Sequence, residues 1–440
     1  MLQRFLDYIR QQHLFPPGQE VLLAVSGGRD SVVMLHLCRR AGIPFAVAHC
    51  NFHLRPGDCD RDQQFVRRLA DACNAPFHTV DFDTRAHAAA QGMGVEEAAR
   101  SLRYAWFDQL CRSHHYPCVA TAHHRDDAIE TFFLNLFRGT GIAGLHGIRP
   151  SSPCFSTTLV RPLLCFSRAD IDSYVETHHL EYVEDYTNAL LDARRNQLRH
   201  RLMPLLRELY PSVDATMEAN MHRLAEVEAV YDNAIEALRG RLLHTEVSPF
   251  GFPYVWIALD DIGSLSPRRT LLFELLRPYG FSAAVVDDIL AAMPAAQTGT
   301  LFMGETHAAA FDRGRLVIAD VNESRLPAVE VESVENVEMK VQGGAGMFKC
   351  VEYVDADAVR QPLTVRPWQA GDRFQPIGME HQRLVSDFLK DSKLNLFEKR
   401  RTALLVDADG RIVWVVGLRL DHRFRLLPST QRALRLTCRY

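Results

Sequence analysis

A six-residue loop near the start of the chain combines the residue types that bind phosphate. Ser26-Gly27-Gly28-Arg29-Asp30-Ser31 follows an apolar run and precedes a segment with helical periodicity. Two glycines allow a tight turn that brings backbone N–H groups close to an anion, and the next helix presents the positive end of its dipole. We therefore predict a phosphate site, with a plain serine-capped turn as the alternative. A Walker A loop is excluded because the chain contains no Gly-Lys pair.

Carboxylates gather later in the chain, where His123-His124-Arg125-Asp126-Asp127 opens another helical segment. Asp127 and Glu130 are three residues apart and share one helix face. Carboxylates beside a phosphate site can hold Mg²⁺ or receive a cationic substrate, whereas the alternative is that they only stabilise the helix start. Zinc binding by His123 and His124 is not expected, because adjacent side chains point apart.

Basic side chains form two further candidate groups. Arg100 and Arg103 lie three residues apart on a helical segment that also carries Glu97, so a solvated ion-pair face is the alternative to a binding role. Residues 194–201 contain four arginines, which suits RNA phosphates, although a solvated basic helix start has the same composition. His49 ends the second apolar run and would lie at the same sheet edge as the phosphate loop.

The elements that must position these residues alternate between short apolar runs and helical patterns. Strands are predicted at 21–25, 45–50, 77–82, 118–122 and 159–163, and helices near 31–40, 60–74, 96–113, 126–137 and 167–179. Such alternation predicts an α/β fold, with a doubly wound parallel sheet covered by helices on both faces. Ligands of these sheets lie at the carboxyl ends of the strands. The chemistry is therefore expected just after residues 25, 50 and 122.

Composition and charge describe the rest of the chain. Its length allows about two to four domains, and 47% hydrophobic with 24% charged residues exclude a disordered or fibrous protein. From Arg360 to Tyr440, 16 Lys and Arg outnumber 8 Asp and Glu, which indicates a basic C-terminal module. We predict a catalytic domain at 1–205, a mainly helical middle domain at 206–320, a linker region at 321–358 and a small α+β domain at 359–440.

The sequence also predicts the environment of the protein. No apolar run is long enough to span a membrane, and no signal-peptide core is recognised. The ten cysteines include no C-x-x-C pair and no zinc spacing, which favours buried thiols. We expect a cytoplasmic protein without membrane contact. The oligomeric state is left open, and a homodimer is compatible with the sequence.

An ordered set of motifs resembles known enzymes. The phosphate loop matches the S-G-G-x-D-S loop of the ATP-pyrophosphatase (PP-loop) enzymes, and the whole set is similar to the bacterial tRNA(Ile)-lysidine synthetase family. The N-terminal motifs stand at 26–31, 49–55, 97–104, 123–131, 138–145, 161–164 and 185–205. Arg366-Pro367 and the segments 371–374 and 412–418 resemble the final domain of that family. The order of the set makes it more specific than a PP-loop alone.

The resemblance implies a reaction of ATP, L-lysine and a tRNA(Ile) whose anticodon is CAU. The C2 carbonyl oxygen of the wobble cytidine attacks the α-phosphate of ATP, and pyrophosphate leaves. The ε-amine of lysine then displaces AMP from C2 and forms lysidine, which changes the codon specificity from Met to Ile. The resemblance further implies tRNA binding by the middle and C-terminal domains.

The same resemblance assigns roles to individual residues. ATP contacts are expected from Ser26, Gly27, Gly28, Arg29, Asp30, Ser31 and His49. Asp30 is also the candidate Mg²⁺ ligand, or simply an acid at the helix start. Lysine is expected to bind through Arg103, Asp127 and Glu130, and catalysis is assigned to Asp30, Arg103 and Asp127. Arg195 and Arg199 are expected near the RNA.

Two alternative functions are weighed against this one. A PP-loop tRNA 2-thiolase generally needs a cysteine relay or an iron–sulfur cluster held by C-x-x-C, and the chain has no such pair. A noncatalytic tRNA-binding protein that only keeps a nucleotide fold is expected to have lost part of the site. All four residues that would reveal such a loss are present, namely Ser26, Asp30, Asp127 and Glu130.

Overall fold

The computed structural model describes residues 1–54, 58–183, 193–321, 326–335 and 350–439. They fold into two compact units, Met1–Val230 and Tyr231–Tyr440. Arg55 and the first eight residues of the motif segment 185–205, up to residue 192, lie outside the described residues. The boundaries expected at 205, 320 and 358 stay predictions.

The first unit is built on a six-stranded sheet. Its strands are β1 (Val21–Ala24), β2 (Phe45–Asn51), β3 (Phe77–Asp81), β4 (Cys118–Ala120), β5 (Ser151–Cys154) and β6 (Thr157–Val160). They lie in the order β3-β2-β1-β4-β6-β5, and every pair is parallel except β5 with β6. Strand order reverses at β1, so the crevice that binds ligands in such sheets follows β1 directly.

Helices cover both faces of this sheet. Leu23 packs in one apolar core cluster and Leu22 in another, as expected for a strand that is buried on both sides. The helices of the first unit are α1 (Leu2–Gln11), α2 (Arg29–Arg40), α3 (Asp58–Ala72), α4 (Thr84–Gln91), α5 (Val95–His114), α6 (Arg125–Arg138), α7 (Arg168–His178), α8 (Ala193–Gln197) and α9 (Met203–Leu209). Helix α10 (Val213–Leu242) begins in the first unit and ends in the second. A π-helical turn, Leu198–Leu202, joins α8 to α9.

The doubly wound fold predicted for the N-terminal part is confirmed. Each predicted strand and helix is present, with ends that differ by a few residues. Ser167 caps α7 together with Asp170. Gly139 ends α6, so the G-x-G-x-x-G pattern from Gly139 to Gly144 follows a helix and is not a dinucleotide-binding loop. The elements α1, α4 and β5 were not predicted.

The described residues of the second unit form four antiparallel sheets. Their strand orders are β7-β8-β11-β10-β9, β12-β20-β13, β14-β17-β18-β19 and β15-β16. The strands are β7 (His244–Val247), β8 (Pro253–Ala258), β9 (Leu301–Met303), β10 (His307–Asp312), β11 (Arg315–Asp320), β12 (Ala328–Glu335), β13 (Val351–Asp355), β14 (Thr364–Pro367), β15 (Arg373–Phe374), β16 (Arg383–Leu384), β17 (Ala403–Val406), β18 (Ile412–Val415), β19 (Arg419–Leu420) and β20 (Arg432–Arg439). The helices are α11 (Leu259–Ser264), α12 (Arg268–Leu276), α13 (Ala283–Ala292), α14 (Val385–Asp391) and α15 (Leu396–Arg401).

The five-stranded sheet was missed in the sequence. It lies within 206–320, where α10 to α13 provide the predicted helices, and β12 and β13 lie within the predicted linker. Strand β10 is rich in alanine, which favours helix over strand. Its residues pack alternately into two different core clusters, so both faces are buried and no polar alternation marks the strand.

Two further expectations concern cysteines and membranes. The nine cysteines whose side chains the structure describes are free thiols, and six of them are buried. Within the described residues, no helix has both the length and the apolar character needed to cross a membrane.

Gly147 allows the close packing of α6 against α10. It has a φ of 70°, and a Cβ there would lie 2.7 Å from both the Ala128 carbonyl oxygen and the Met221 sulfur. We expect Gly147→Ala to lower the free energy of unfolding by about 1–3 kcal/mol more than Gly139→Ala does. Gly139 is a matched control, because its φ is 81° and nothing lies within 4 Å of its Cβ position. Equal losses in denaturant titrations of the two variants would contradict this packing argument.

Candidate active site

A cavity of about 580 Å³ opens at the carboxyl ends of the central strands of the first unit. Val25, Cys50 and Ala122 lie on its wall, which agrees with the expected position of the chemistry after three of the strands. The lining includes most of the phosphate loop, namely Ser26, Gly28, Arg29, Asp30 and Ser31. It also includes Arg103 of α5, His123 before α6, Asp127 of α6, Arg168 of α7 and Arg199 of the π-helical turn.

The phosphate loop is held in shape by its own hydrogen bonds. The Ser26 hydroxyl accepts from the Gly28 N–H at 3.2 Å, and the Ser31 hydroxyl donates to the Gly28 carbonyl at 2.8 Å. Gly27 has a φ of 92°, and a Cβ there would lie 3.2 Å from a Val66 methyl carbon, so glycine is needed for both conformation and space. Helix α2 begins within the loop, at Arg29, which gives the site the positive end of a helix dipole.

Asp30 is bound by an arginine that the sequence analysis did not single out. Both carboxylate oxygens accept hydrogen bonds from Arg168, at 3.1 and 3.2 Å. Burial raises the pKa of Asp30, and the nearby His124 and Arg168 oppose that shift. Asp30 also lies in the first turn of α2, near the positive end of the helix dipole. Its contact with Arg168 is therefore present in addition to its place at the helix start.

Arg168 is itself placed by its neighbours. It opens α7 directly after Ser167, whose hydroxyl accepts the Asp170 N–H at 3.1 Å. Its own N–H donates to Asp126 at 2.9 Å, which ties α7 to the start of α6. Arg29 is held in a similar way by Asp172 at 2.5 Å and the Tyr182 hydroxyl at 3.1 Å. Two guanidinium groups therefore flank the phosphate loop.

Asp127 and Glu130 both accept hydrogen bonds from Arg199. The Arg199 Nε donates to Glu130 at 2.7 Å, and Nη2 donates to Glu130 at 2.9 Å and to Asp127 at 3.2 Å. Asp127 also accepts the His124 N–H at 3.0 Å. Arg199, expected near RNA, therefore lies on the two carboxylates that were expected to receive lysine.

The two carboxylates differ in their proton affinity. Burial raises the pKa of Glu130 above its ordinary value, and Arg199 opposes that shift only in part. Burial acts on Asp127 in the same direction, but His124 and Arg199 outweigh it and lower the pKa. Glu130 is therefore the stronger base of the pair.

Two more side chains complete the cavity wall. The Arg103 guanidinium lies 5.1 Å from the centre of the Phe52 ring, a cation–π contact that orients it. Burial lowers the pKa of His123 to about 4, so its imidazole is neutral near pH 7, and its Nδ1 lies 3.0 Å from the Thr121 hydroxyl. No group of three or more Asp, Glu, His or Cys arranged to hold a metal exists among the described residues.

Some predicted residues lie outside the cavity lining. His49 is 5% exposed, and its Nδ1 lies 2.9 Å from the Val25 carbonyl, so it donates into the core. Gly27 shapes the loop without facing the cavity. Glu130 reaches the cavity only through Arg199, and Arg195 donates to the Thr131 hydroxyl at 3.1 Å. The structure thus brings Arg103, Asp127 and the phosphate loop together.

Three known domain families match successive parts of the chain. The PP-loop domain family matches residues 2–206, the TilS substrate binding domain matches 243–321 and the TilS substrate C-terminal domain matches 363–437. The tRNA(Ile)-lysidine synthase of Parabacteroides distasonis is 37% identical over 99% of this chain and 99% of its own length. The chain belongs to the tRNA(Ile)-lysidine synthase family.

Other members of the tRNA(Ile)-lysidine synthase family are similar over the same length. The enzyme of Bacteroides thetaiotaomicron is 36% identical over 98% of both chains, and that of Porphyromonas gingivalis strain W83 is 33% identical over 99% of this chain and 98% of its own. The resemblance recognised in the sequence motifs is confirmed. The cavity described above lies in the PP-loop domain, and the two further family domains lie in the second unit.

Proposed function

We propose that this chain ligates L-lysine to C2 of the wobble cytidine in a tRNA(Ile) with a CAU anticodon, and converts ATP to AMP and pyrophosphate. The observation that supports it most is the joint presence, in one cavity, of a phosphate loop and a buried acidic site beside Arg103. Such a cavity suits a nucleoside triphosphate together with an amino acid that has a cationic side chain.

The first step is adenylation of the tRNA. The cytidine O2 attacks the α-phosphorus, the bond to the bridging oxygen breaks, and pyrophosphate leaves with that electron pair. Loop N–H groups, the start of α2, Arg29 and Arg168 lie where they would stabilise the charge on the departing pyrophosphate. Ser26 and Ser31 add hydroxyl donors to the same loop.

Mg²⁺ is proposed as the metal for this step. It usually keeps several waters and binds through one or two carboxylates plus substrate phosphates. The described residues fit that pattern, because Asp30 in the loop and Asp127 are carboxylates that line the cavity, whereas no all-protein metal cluster is present among them. When bound, the metal would neutralise charge on the phosphates. Asp30 is the residue that would hold it.

The second step needs a neutral lysine amine. We propose that Arg103 binds the lysine carboxylate and that Asp127 and Glu130 bind the ε-ammonium. Glu130 accepts the proton, since its pKa is raised while that of Asp127 is lowered. The amine then attacks C2, and AMP leaves as the C2–O bond breaks. Because Arg199 already contacts both acids, the ammonium must displace it from at least one of them.

The test is incorporation of radiolabelled lysine into unmodified tRNA(Ile) with a CAU anticodon, with AMP measured in the same reaction. We expect label and AMP in equal amounts, and none in tRNA(Met), which shares the anticodon. AMP without lysine label would keep the adenylation step and point to another nucleophile, such as the sulfur donor of a 2-thiolase. Absence of nucleotide turnover with every tRNA would favour a noncatalytic tRNA-binding protein.

A further inference from the structure

A second groove, of about 720 Å³, lies on the first unit between α6 and the helical segment from α8 to α9. We name it the arginine-rimmed groove. Its apolar lining comes from Leu134, Phe137, Leu198, Leu202 and Leu205, and its polar lining from Arg138, Arg194, Gln197 and Arg201. None of these residues has a part in the reaction proposed above.

Two large residues of the apolar lining are exposed to solvent. Phe137 is 65% exposed and Leu205 is 50% exposed. The Phe137 ring stacks on Phe133 with the ring centres 5.9 Å apart, so it is supported from below and leaves a face open. Clustered exposed apolar side chains mark binding surfaces more often than isolated ones do.

The rim of the groove is cationic. Arg138, Arg194 and Arg201 are all exposed, and none of the described residues that line the groove is acidic. Among the described residues, Arg138 and Arg201 form no ion pair. An apolar groove with guanidinium groups at its rim suits a nucleotide, because the base can stack on an aromatic ring while arginines bind the adjacent phosphates. An apolar peptide or a second protein surface would not need this charge.

The groove and the reaction cavity are both lined from one face of α6. Asp127, Glu130, Leu134 and Phe137 recur at helical spacing on α6, and the rise of the helix puts Phe137 about 15 Å from Asp127. Within the π-helical turn, Arg199 reaches the acids of the cavity while Arg201 lines the groove.

We propose that the arginine-rimmed groove binds an unstacked base of the anticodon loop that is adjacent in sequence to the reacting cytidine. The chemistry of the site suits single-stranded nucleic acid, with Phe137 as the stacking platform and Arg138 and Arg201 as phosphate ligands. It extends the proposed function, on which it rests, by stating how the loop is opened and held while its cytidine enters the cavity.

The first test compares Phe137→Ala with Phe155→Ala. Phe155 is a matched control, because it is 71% exposed in the β5–β6 turn and does not line either cavity. We expect Phe137→Ala to weaken binding of the tRNA(Ile) transcript about tenfold, and to raise KM for tRNA similarly with kcat and the KM for ATP unchanged. Phe155→Ala is expected to match the unmodified protein. The double variant Arg138→Gln/Arg201→Gln should weaken tRNA binding too, and reduce its salt dependence.

The second test locates the bound nucleotide. A photoreactive phenylalanine analogue at position 137 is expected to crosslink to the anticodon loop within a few nucleotides of the wobble cytidine, and the analogue at 155 is not. Crosslinks elsewhere in the tRNA, or unchanged affinity of both Phe137→Ala and the double arginine variant, would overturn the proposal. If tRNA(Ile) binds and the analogue at position 137 crosslinks as expected, but the protein without the analogue makes no lysidine, the proposed function fails while the groove assignment stands.

Discussion

Replacing Asp127 by asparagine is expected to lower kcat/KM for lysine by about 10²–10³-fold. The substitution keeps the size of the side chain and the acceptor for the His124 N–H, but it removes a negative charge from a buried site. An ammonium that enters this site then meets Glu130 alone, in competition with Arg199. Lysine binding should suffer far more than ATP binding.

The control for this experiment is Glu218→Gln. Glu218 also pairs with an arginine, Arg125 at 3.4 Å, but its side chain is 50% exposed and it does not line the cavity. Exposed pairs of this kind contribute little to stability, so this variant should retain normal kinetics.

The decisive measurement compares the two steps of the reaction in the Asp127→Asn variant. Pyrophosphate release in a single turnover without lysine should be preserved in Asp127→Asn, while lysine-dependent release of AMP falls. An equal loss of both would show that Asp127 serves the nucleotide instead of the amino acid.

The sheet and the phosphate loop were predictable because their signals are local. Two glycines, two serines and a following helix specify the loop within six residues, and α6 shows its acids through simple helical spacing. Strand β2 shows the limit of such reasoning. Six of its seven residues are buried, so the sequence carries no alternation that would tell which face His49 occupies. The structure places it in the core.

The arginine contacts were not predictable for a different reason. Arg168 binds Asp30 across 138 residues of sequence, and Arg199 binds Glu130 across 69. An arginine in a basic run looks like an RNA ligand in any sequence, because its composition does not reveal which carboxylate it will meet after folding. The cluster 194–201 in fact divides, with Arg199 on the acids of the cavity and Arg201 on the groove.

Asp30→Asn is expected to reduce the rate of pyrophosphate formation by about 10²–10³-fold, and to raise the Mg²⁺ concentration needed for half of the remaining rate. The reason is that Asp30 is the carboxylate of the phosphate-loop region that faces the cavity. Burial raises the pKa of Asp30, whereas His124 and Arg168 oppose this shift and stabilise the ionised carboxylate. The measurement is single-turnover pyrophosphate release over a range of Mg²⁺ concentrations, at saturating ATP and tRNA.

A purely structural role for the Asp30–Arg168 pair predicts a different pattern. In that case Asp30→Asn, Arg168→Met and the double variant would lose similar activity, because each removes the same contact, and the Mg²⁺ dependence would not move. If both residues instead act on the nucleotide, the Arg168→Met variant keeps its normal Mg²⁺ requirement but loses affinity for ATP, and the double variant is worse than either single one. The cycle of four proteins therefore separates a carboxylate that holds the metal from one that only holds Arg168.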